Sequence, residues 1–401
     1  MLKMFDINFN SRQYIFIQNK KEIKNFSENI SISTVNSKSD FKKFFKMPWI
    51  IYKNDKNWVP PFWFEYRDFF TKKNPFWSHA EAKLFLIQKN HEIVGRIAGI
   101  IDHLYCKLYK RSIGFFGFFE CINDFKCAKI LFESAQKWLE SKQIKYMQGP
   151  INGRVDVGSG FLTQGFNSRP SLLSSYSPEY YTSFVKKFNM EKIRDLLLYY
   201  IDLTKPIPKK LEKKAQQCLS SGIKIRRFNR FRTNKEIKWW IELLMETFKE
   251  HWGFVPISKE EVKTRFGIKQ IRWFVDSDLF LIAESEETPI AFIWSTPDYN
   301  LVFQRMNGKL GIYQLMQFLW QKHKINLGKL PLIGIKKGFR DQNIGSCLNY
   351  LTLLEMKKRG YLGAEVGWID ERNKKAHATI SITGAKPYKK LSIYEKKITS
   401  K

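Results

Sequence analysis

An α+β chain made of two copies of one strand-and-helix unit is what the sequence predicts, on three observations. The first is length. A chain of 401 residues, 43% hydrophobic and 16% aromatic, exceeds one ordinary core and suits two. The second is a repeat. Asn57-Trp58-Val59-Pro60 is echoed by His251-Trp252-Gly253-Phe254-Val255-Pro256. The tetrapeptide Leu-Phe-Leu-Ile follows each, Phe85 lying 25 positions after Pro60 and Phe280 24 positions after Pro256. Chance supplies one shared tetrapeptide more readily than two motifs at matched spacing, so duplication is the better account. The third is that each half continues as strand, helix, strand, helix, strand.

Taken in order, residues 1–30 read as a poorly ordered polar extension. Their one apolar patch, residues 14–17, is shorter than the roughly 7–15 residues of a signal-peptide core. A first domain spans 31–205. It opens with a strand at 32–35 and a helix over 38–52 that Pro48 should break. A rigid aromatic turn follows at 57–61, then strands at 84–87, 93–101 and 113–119. Cys127, Leu131, Ala135, Trp138 and Leu139 mark an amphipathic helix. A strand begins at Tyr146, and a glycine-rich insert runs from Gly149 to Tyr181. Inserts of that length are often functional. Asn152, Arg154 and Asp156 could face a polar substrate, or the insert could cover the sheet edge between the domains.

Two prolines within 204–208 mark the boundary. Leu211, Ala215, Cys218 and Leu219 make a linker helix within 206–223, and a second domain fills 224–401. Ile237, Trp240, Ile241, Leu244, Met245 and Phe248 form a helical stripe of core type. Residues 301–326 are an extra segment with a helix near 312–323, placed to lie over an active site.

The most informative stretch is 330–360. Leu332, Ile333 and Ile335 read as a buried strand. Ile344, Cys347, Leu348, Leu351 and Leu354 read as a helix closed by Lys357, Lys358, Arg359 and Gly360. The loop between them would present backbone N–H groups together with Lys336, Lys337 and Arg340. Such a place holds a phosphate or pyrophosphate.

Arg340-x-x-Asn343-x-Gly345 resembles the R/Q-x-x-G-x-G/A loop of the GNAT acyltransferase superfamily, with Asn343 at the first glycine. Asn tolerates the positive φ that glycine takes there. The strand at 364–369, the helix opened by 370–373, the Gly384-Ala385 stop and the strand at 391–395 resemble the second half of that fold over residues 224–401. A wider arrangement resembles large bacterial proteins with two GNAT-like domains over 32–400. It includes Asn57-Trp-Val-Pro-Pro61, residues 95–102, Gly114–Glu120 and Ser177–Tyr181.

The resemblance implies two tandem GNAT-like domains, each a mixed, mostly antiparallel sheet flanked by helices. It implies acetyl-CoA as acyl donor, no metal, and a small-molecule or peptide amine as acceptor. Ile335, Lys336, Lys337, Arg340, Asp341, Gln342, Asn343, Ile344, Gly345, Ser346 and Asn373 would hold the donor. A backbone N–H near Gly334–Lys336 would hold the thioester carbonyl. Ile380 stands where many relatives carry a tyrosine acid, so Tyr394 and Tyr388 are substitutes by chemistry alone. Glu365 is the candidate base, against a salt-bridged carboxylate. His251 is base or turn residue. In the first half, Glu120 and Asp124 replace the basic loop and would repel a pyrophosphate, so that half serves as a partner domain or substrate wall.

Sixty-nine Lys and Arg against 38 Asp and Glu give a net charge of +31, which favours nucleic acid, anionic lipid or CoA phosphates. Richness in Lys, Ile, Asn and Phe together makes compositional drift the stronger account. The charge still keeps open an aminoacyl-tRNA-dependent transferase, alongside a non-catalytic binding protein. Five cysteines without a Cys-x-x-Cys pair argue against a disulfide framework or zinc site and fit a reducing cytoplasm. No run approaches the ~18 apolar residues of a membrane span. Metal-ligand spacing and a Ser-His-Asp order are likewise absent.

Overall fold

The computed structural model describes residues 13–16, 21–27, 29–265 and 275–398. Among these residues fourteen strands form one sheet, ordered β1-β2-β3-β4-β5-β6-β14-β8-β13-β12-β11-β10-β9, with β7 paired to β14. The first half supplies β1 (Ile23–Ser27), β2 (Ile30–Thr34), β3 (Ala80–Lys89), β4 (Glu92–Asp102), β5 (Ile113–Cys121), β6 (Tyr146–Gly149), β7 (Phe161–Gln164) and β8 (Glu191–Asp202). The second supplies β9 (Lys224–Arg227), β10 (Phe280–Ser285), β11 (Thr288–Pro297), β12 (Leu327–Ile335), β13 (Gly363–Asp370) and β14 (Lys386–Lys397).

The repeat is visible as a symmetric strand order, β2 to β6 answering β9 to β13. The last strand of each half crosses over. β14 pairs with β6, and β8 pairs with β13. β8 and β14 also pair with each other from Lys386↔Tyr200 to Glu395↔Glu191. The stretch 31–205 therefore contributes a strand to the other half-sheet, and one continuous sheet joins the two. β4 and β5 are apolar along nearly their whole length because helices cover both faces of the sheet.

Two local readings change. Tyr14 and Phe16 are fully buried, packing on Phe41 at ring-centroid distances of 5.6 and 4.7 Å, and Ile23–Ser27 is a strand. These parts of the stretch read as a poorly ordered extension are structured, because aromatic burial anchors them. Residues 1–12, 17–20 and 28 lie outside the described ones. The helix Lys38–Ile51 runs through Pro48 without breaking. Proline deprives the Phe44 carbonyl of its helical partner, and buried Arg96 supplies one, Nη1 donating to Phe44 O at 2.6 Å.

The Gly149–Tyr181 insert acts as a structural tie. Asn152 Oδ1 accepts the Phe118 N–H at 2.7 Å. Arg154 is buried and donates to Val255 O at 2.6 Å, with Glu261 at 3.4 Å. Residues 301–326 form two helices, Asn300–Met306 and Ile312–Gln321. The first lies against the aromatic turn of the first half, where Gln304 donates to the carbonyls of Lys56 and Trp58.

Candidate active site

β12 and β13 pair in parallel only from Leu327↔Gly363 to Leu330↔Val366. Beyond that the strands part. The register of β12 against β11 shifts between Lys329 and Leu332, where Pro331 has no N–H to give. The register of β13 against β8 shifts between Val366 and Ile369. Both registers therefore shift just where the parallel pairing ends. Lys336 N–H bonds to Ile290 O on the β11 side at 2.9 Å. Strand alternation then directs the N–H groups of Ile333 and Ile335 into the opening. The break at Leu330–Pro331 lies a turn earlier than the 334–336 stretch expected to hold the carbonyl, and Pro331 is its cause.

Among the described residues the first half shows no such opening. β5 and β6 pair from Ile113 to Phe115, and Ile151 N–H then bonds Phe116 O at 2.8 Å. A Cβ on Gly117 would stand 2.3 Å from Ile151 O, so the insert backbone fills the wedge.

The helix Ile344–Lys358 begins at the mouth of the second-half opening. Asn343 takes φ 60° and ψ 8°, the left-handed conformation that the loop pattern requires. Its side chain does not cap the helix. It bonds instead to Lys214 Nζ at 2.8 Å and Gln217 Oε1 at 3.2 Å on the linker helix Lys209–Leu219. The first helical bond is Cys347 N–H to Asn343 O, which leaves the N–H groups of Ile344, Gly345 and Ser346 to a ligand. In the first half the matching helix is capped by Asp124, which accepts from Lys126 and Cys127. One helix end is thus open to an anion and the other is already satisfied.

Lys337 and Arg340 share Glu250, each at 3.5 Å, and Lys336 lies 3.7 Å from Glu246. Lys337 first and Arg340 second hold the Glu250 carboxyl below its ordinary value. Both acids sit at or just beyond the end of the helix Thr233–Phe248. Sequence spacing gave no sign that they would meet the loop. Asp341 and Gln342 are exposed at its tip. Asn373 caps the helix Lys374–Ser381 by accepting the Ala376 N–H at 3.1 Å, a structural duty for its carbonyl oxygen.

Gly345 is buried. A Cβ there would stand 3.2 Å from Ile335 Cδ1 and 3.5 Å from Thr379 Cγ2. A side chain there would therefore point toward the sheet. We therefore expect Gly345→Val to lower stability by about 1–3 kcal/mol through overpacking. A urea melt showing an unchanged midpoint would contradict that placement.

Glu365 does not face the opening. It lies on the paired part of β13, 4% exposed, and bonds Lys329, Tyr388, Ser171 and Ser174, with Lys389 Nζ at 3.9 Å. Burial pushes its carboxyl up, but Lys329 and Lys389 outweigh this and hold it at about 2. This carboxylate is committed to a buried cluster of ion pairs and hydroxyl hydrogen bonds. Tyr388 is one of its donors. Tyr394 is carried by the exchanged strand into the first-half core, 6.5 Å in ring-centroid distance from Phe161, and is 3% exposed. Glu365 and Tyr388 are thus bonded to each other beside the paired part of β13, and Tyr394 lies in the first-half core.

His251 directly follows Glu250, the partner of Lys337 and Arg340. It packs on Phe248 at 4.4 Å between centroids. Burial lowers its pKa from 6.5, Arg340 lowers it further, and Asp370 and Glu250 act the other way. It therefore feels Arg340 of the 336–343 loop on one side and Asp370 at the end of β13 on the other. Asp370 bonds Arg194 at 2.6 Å, and Arg194 stacks on Trp252 at 4.8 Å. The signal in the sequence is the difference within the repeat: Asn57, the counterpart of His251, is an amide that donates to Phe166 O at 3.2 Å. A second pair went unread. Tyr199 OH and His377 Nδ1 are 2.7 Å apart, and His377 Nε2 lies 3.0 Å from Asp370 O.

A small polar cavity in the first half is lined by Tyr66, Arg96, Glu120, Asn152, Ser159 and Tyr181. Burial raises Glu120 to about 7 against the pull of Arg96. All of its lining residues belong to the first half.

No family model matches the chain. It is 28% identical over 373 residues to protein YghO of Escherichia coli K12, covering 92% of this chain and 95% of the relative. It is 29% identical over 375 residues to the bacterial ceramide synthase of Caulobacter vibrioides, covering 92% and 97%. Among solved structures, a tandem GNAT protein from the clavulanic acid biosynthesis pathway aligns with TM-score 0.52 at 9% identity, over 92% of this chain and 99% of that one. The glucosamine N-acetyltransferase region of a fungal multi-domain enzyme aligns with TM-score 0.53 at 14% identity, over 92% of this chain and 38% of that one.

Proposed function

From a chain that carries the GNAT acyltransferase fold in two copies, we propose an acyl-CoA-dependent N-acyltransferase whose donor site is the second-half opening. One observation supports this above the others. Only the second half combines a parted strand edge with an uncapped helix end and adjacent cations. The Ile344–Ser346 N–H groups and Arg340 suit a pyrophosphate, with Lys337 released from Glu250 to help. The free edge of β12 suits an extended amide-bearing arm.

Acyl-CoA supplies a thioester carbonyl, on which the amine nitrogen forms a C–N bond as the C–S bond breaks. His251, whose pKa burial lowers, takes the proton that the amine loses. The Ile333 and Ile335 N–H groups are the donors available to charge developing on the carbonyl oxygen. The Tyr199–His377 pair is our candidate source of the proton that the thiolate gains. Glu365 and Lys329 hold the paired strands rigid below.

The full-length match to a ceramide synthase points the acceptor toward a long-chain amino alcohol. The test is thiol release from acetyl-CoA and from a long-chain acyl-CoA, each with and without such an amine. Amine-dependent release with an amide product of the expected mass is the predicted outcome. Amine-independent release, or none with either donor, would refute the reading.

A further inference from the structure

We propose that the helix Ile312–Gln321 docks the protein onto an anionic membrane surface. The proposal is independent of the acyl-transfer reading. Its residues Ile312, Tyr313, Met316, Leu319 and Trp320 are 76, 69, 59, 48 and 69% exposed. They stand at positions i, i+1, i+4, i+7 and i+8, one continuous face of the helix. The opposite face is seated: Phe318 packs on Tyr299 and Phe303 at centroid distances of 5.5 and 6.1 Å. Gln321 is buried and accepts from Arg305 at 2.8 Å. Five large apolar side chains on one helical face form the kind of contiguous patch that marks an interaction site.

Charge identifies the occupant. The helix itself carries no charged residue. Lys309 precedes it and Lys322, His323 and Lys324 follow it directly. From Tyr299 to Asn326 there is no Asp or Glu. Lys324 Nζ lies 4.4 Å over the Trp320 ring, so an aromatic and a cation are presented together at one end. An apolar face with Trp and Tyr, ringed by cations, is the composition of a helix lying in a lipid interface. Anionic headgroups complement those cations. A second copy of the chain fits less well, because antiparallel pairing of this helix would set Lys309 of one copy against Lys322 and Lys324 of the other. Among the described residues no helix is long and apolar enough to cross a membrane, so the contact would be peripheral.

Co-sedimentation of the full chain with phosphatidylcholine vesicles, with and without phosphatidylglycerol, tests this. The wild type should partition onto the anionic vesicles and be released by salt. Met316→Glu with Trp320→Glu, and separately Lys322→Glu with Lys324→Glu, should each reduce partition at least about tenfold. Melting should be unchanged, since these side chains are exposed. Equal partition of the variants, no partition of the wild type, or a solution dimer dissociated by the same substitutions would overturn the proposal. Turnover of soluble substrates reports on acyl transfer separately.

Discussion

Replacing His251 by alanine is expected to lower kcat/KM for amine acylation by about 10²–10⁴-fold, the usual contribution of a positioned acid or base. Acyl-CoA binding should be retained, because the imidazole supplies no phosphate contact. The pH profile gives the sharper reading. Burial and Arg340 lower the His251 pKa from 6.5, so the acid limb of kcat/KM in the wild type should have its midpoint below that value. His251→Gln keeps the ring-sized polar group but not the basicity, and should lose that limb along with the rate. A variant that keeps both rate and limb would remove His251 from the chemistry. The turn would then do in this half what Asn57 does in the other.

Glu365→Gln is expected to cost about 3–5 kcal/mol of stability, the cost of removing one partner from a buried charge cluster. Lys329 and Lys389 would remain, 1% and 3% exposed, without their carboxylate. Total stabilities run to about 5–15 kcal/mol, so a large fall in the urea midpoint should follow. The linkage with pH has a definite sign. The folded pKa of Glu365 is about 2 against 4.5 for the free group. Its contribution is therefore complete above about 4.5 and lost as pH falls toward 2. The variant should lack that part of the acid transition. If it melts with the wild type and turnover falls instead, the carboxylate is a catalytic base after all.

The loop was legible because its signal is local. Positive φ at Asn343, basic residues and a helix start are all written within a few positions of one another. The repeat was legible because whole motifs recur at matched spacing. The exchange of β8 and β14 was not. Both are long strands with similar alternation, and a strand's own pattern does not say which neighbour it joins. Glu365 read as a base for the same reason: its strand position was visible, but Lys329, Ser171 and Tyr388 come from three distant segments. Glu246 and Glu250 were likewise invisible as partners of the loop. His251 could be seen as a difference between the repeats, but its coupling to Arg340 and Asp370 needed the fold.

The most direct test of the donor site is calorimetric titration of acetyl-CoA into the wild type and Arg340→Glu. The reversal removes a charge-assisted phosphate contact and places a carboxylate beside Glu250. Lys126→Glu, at the start of the matching first-half helix that Asp124 already caps, is the control. We predict saturable binding to one site per chain, weakened about 100-fold or more by Arg340→Glu and unaltered by Lys126→Glu. Equal affinity in wild type and Arg340→Glu, or loss of binding in Lys126→Glu alone, would contradict a donor site in the second half.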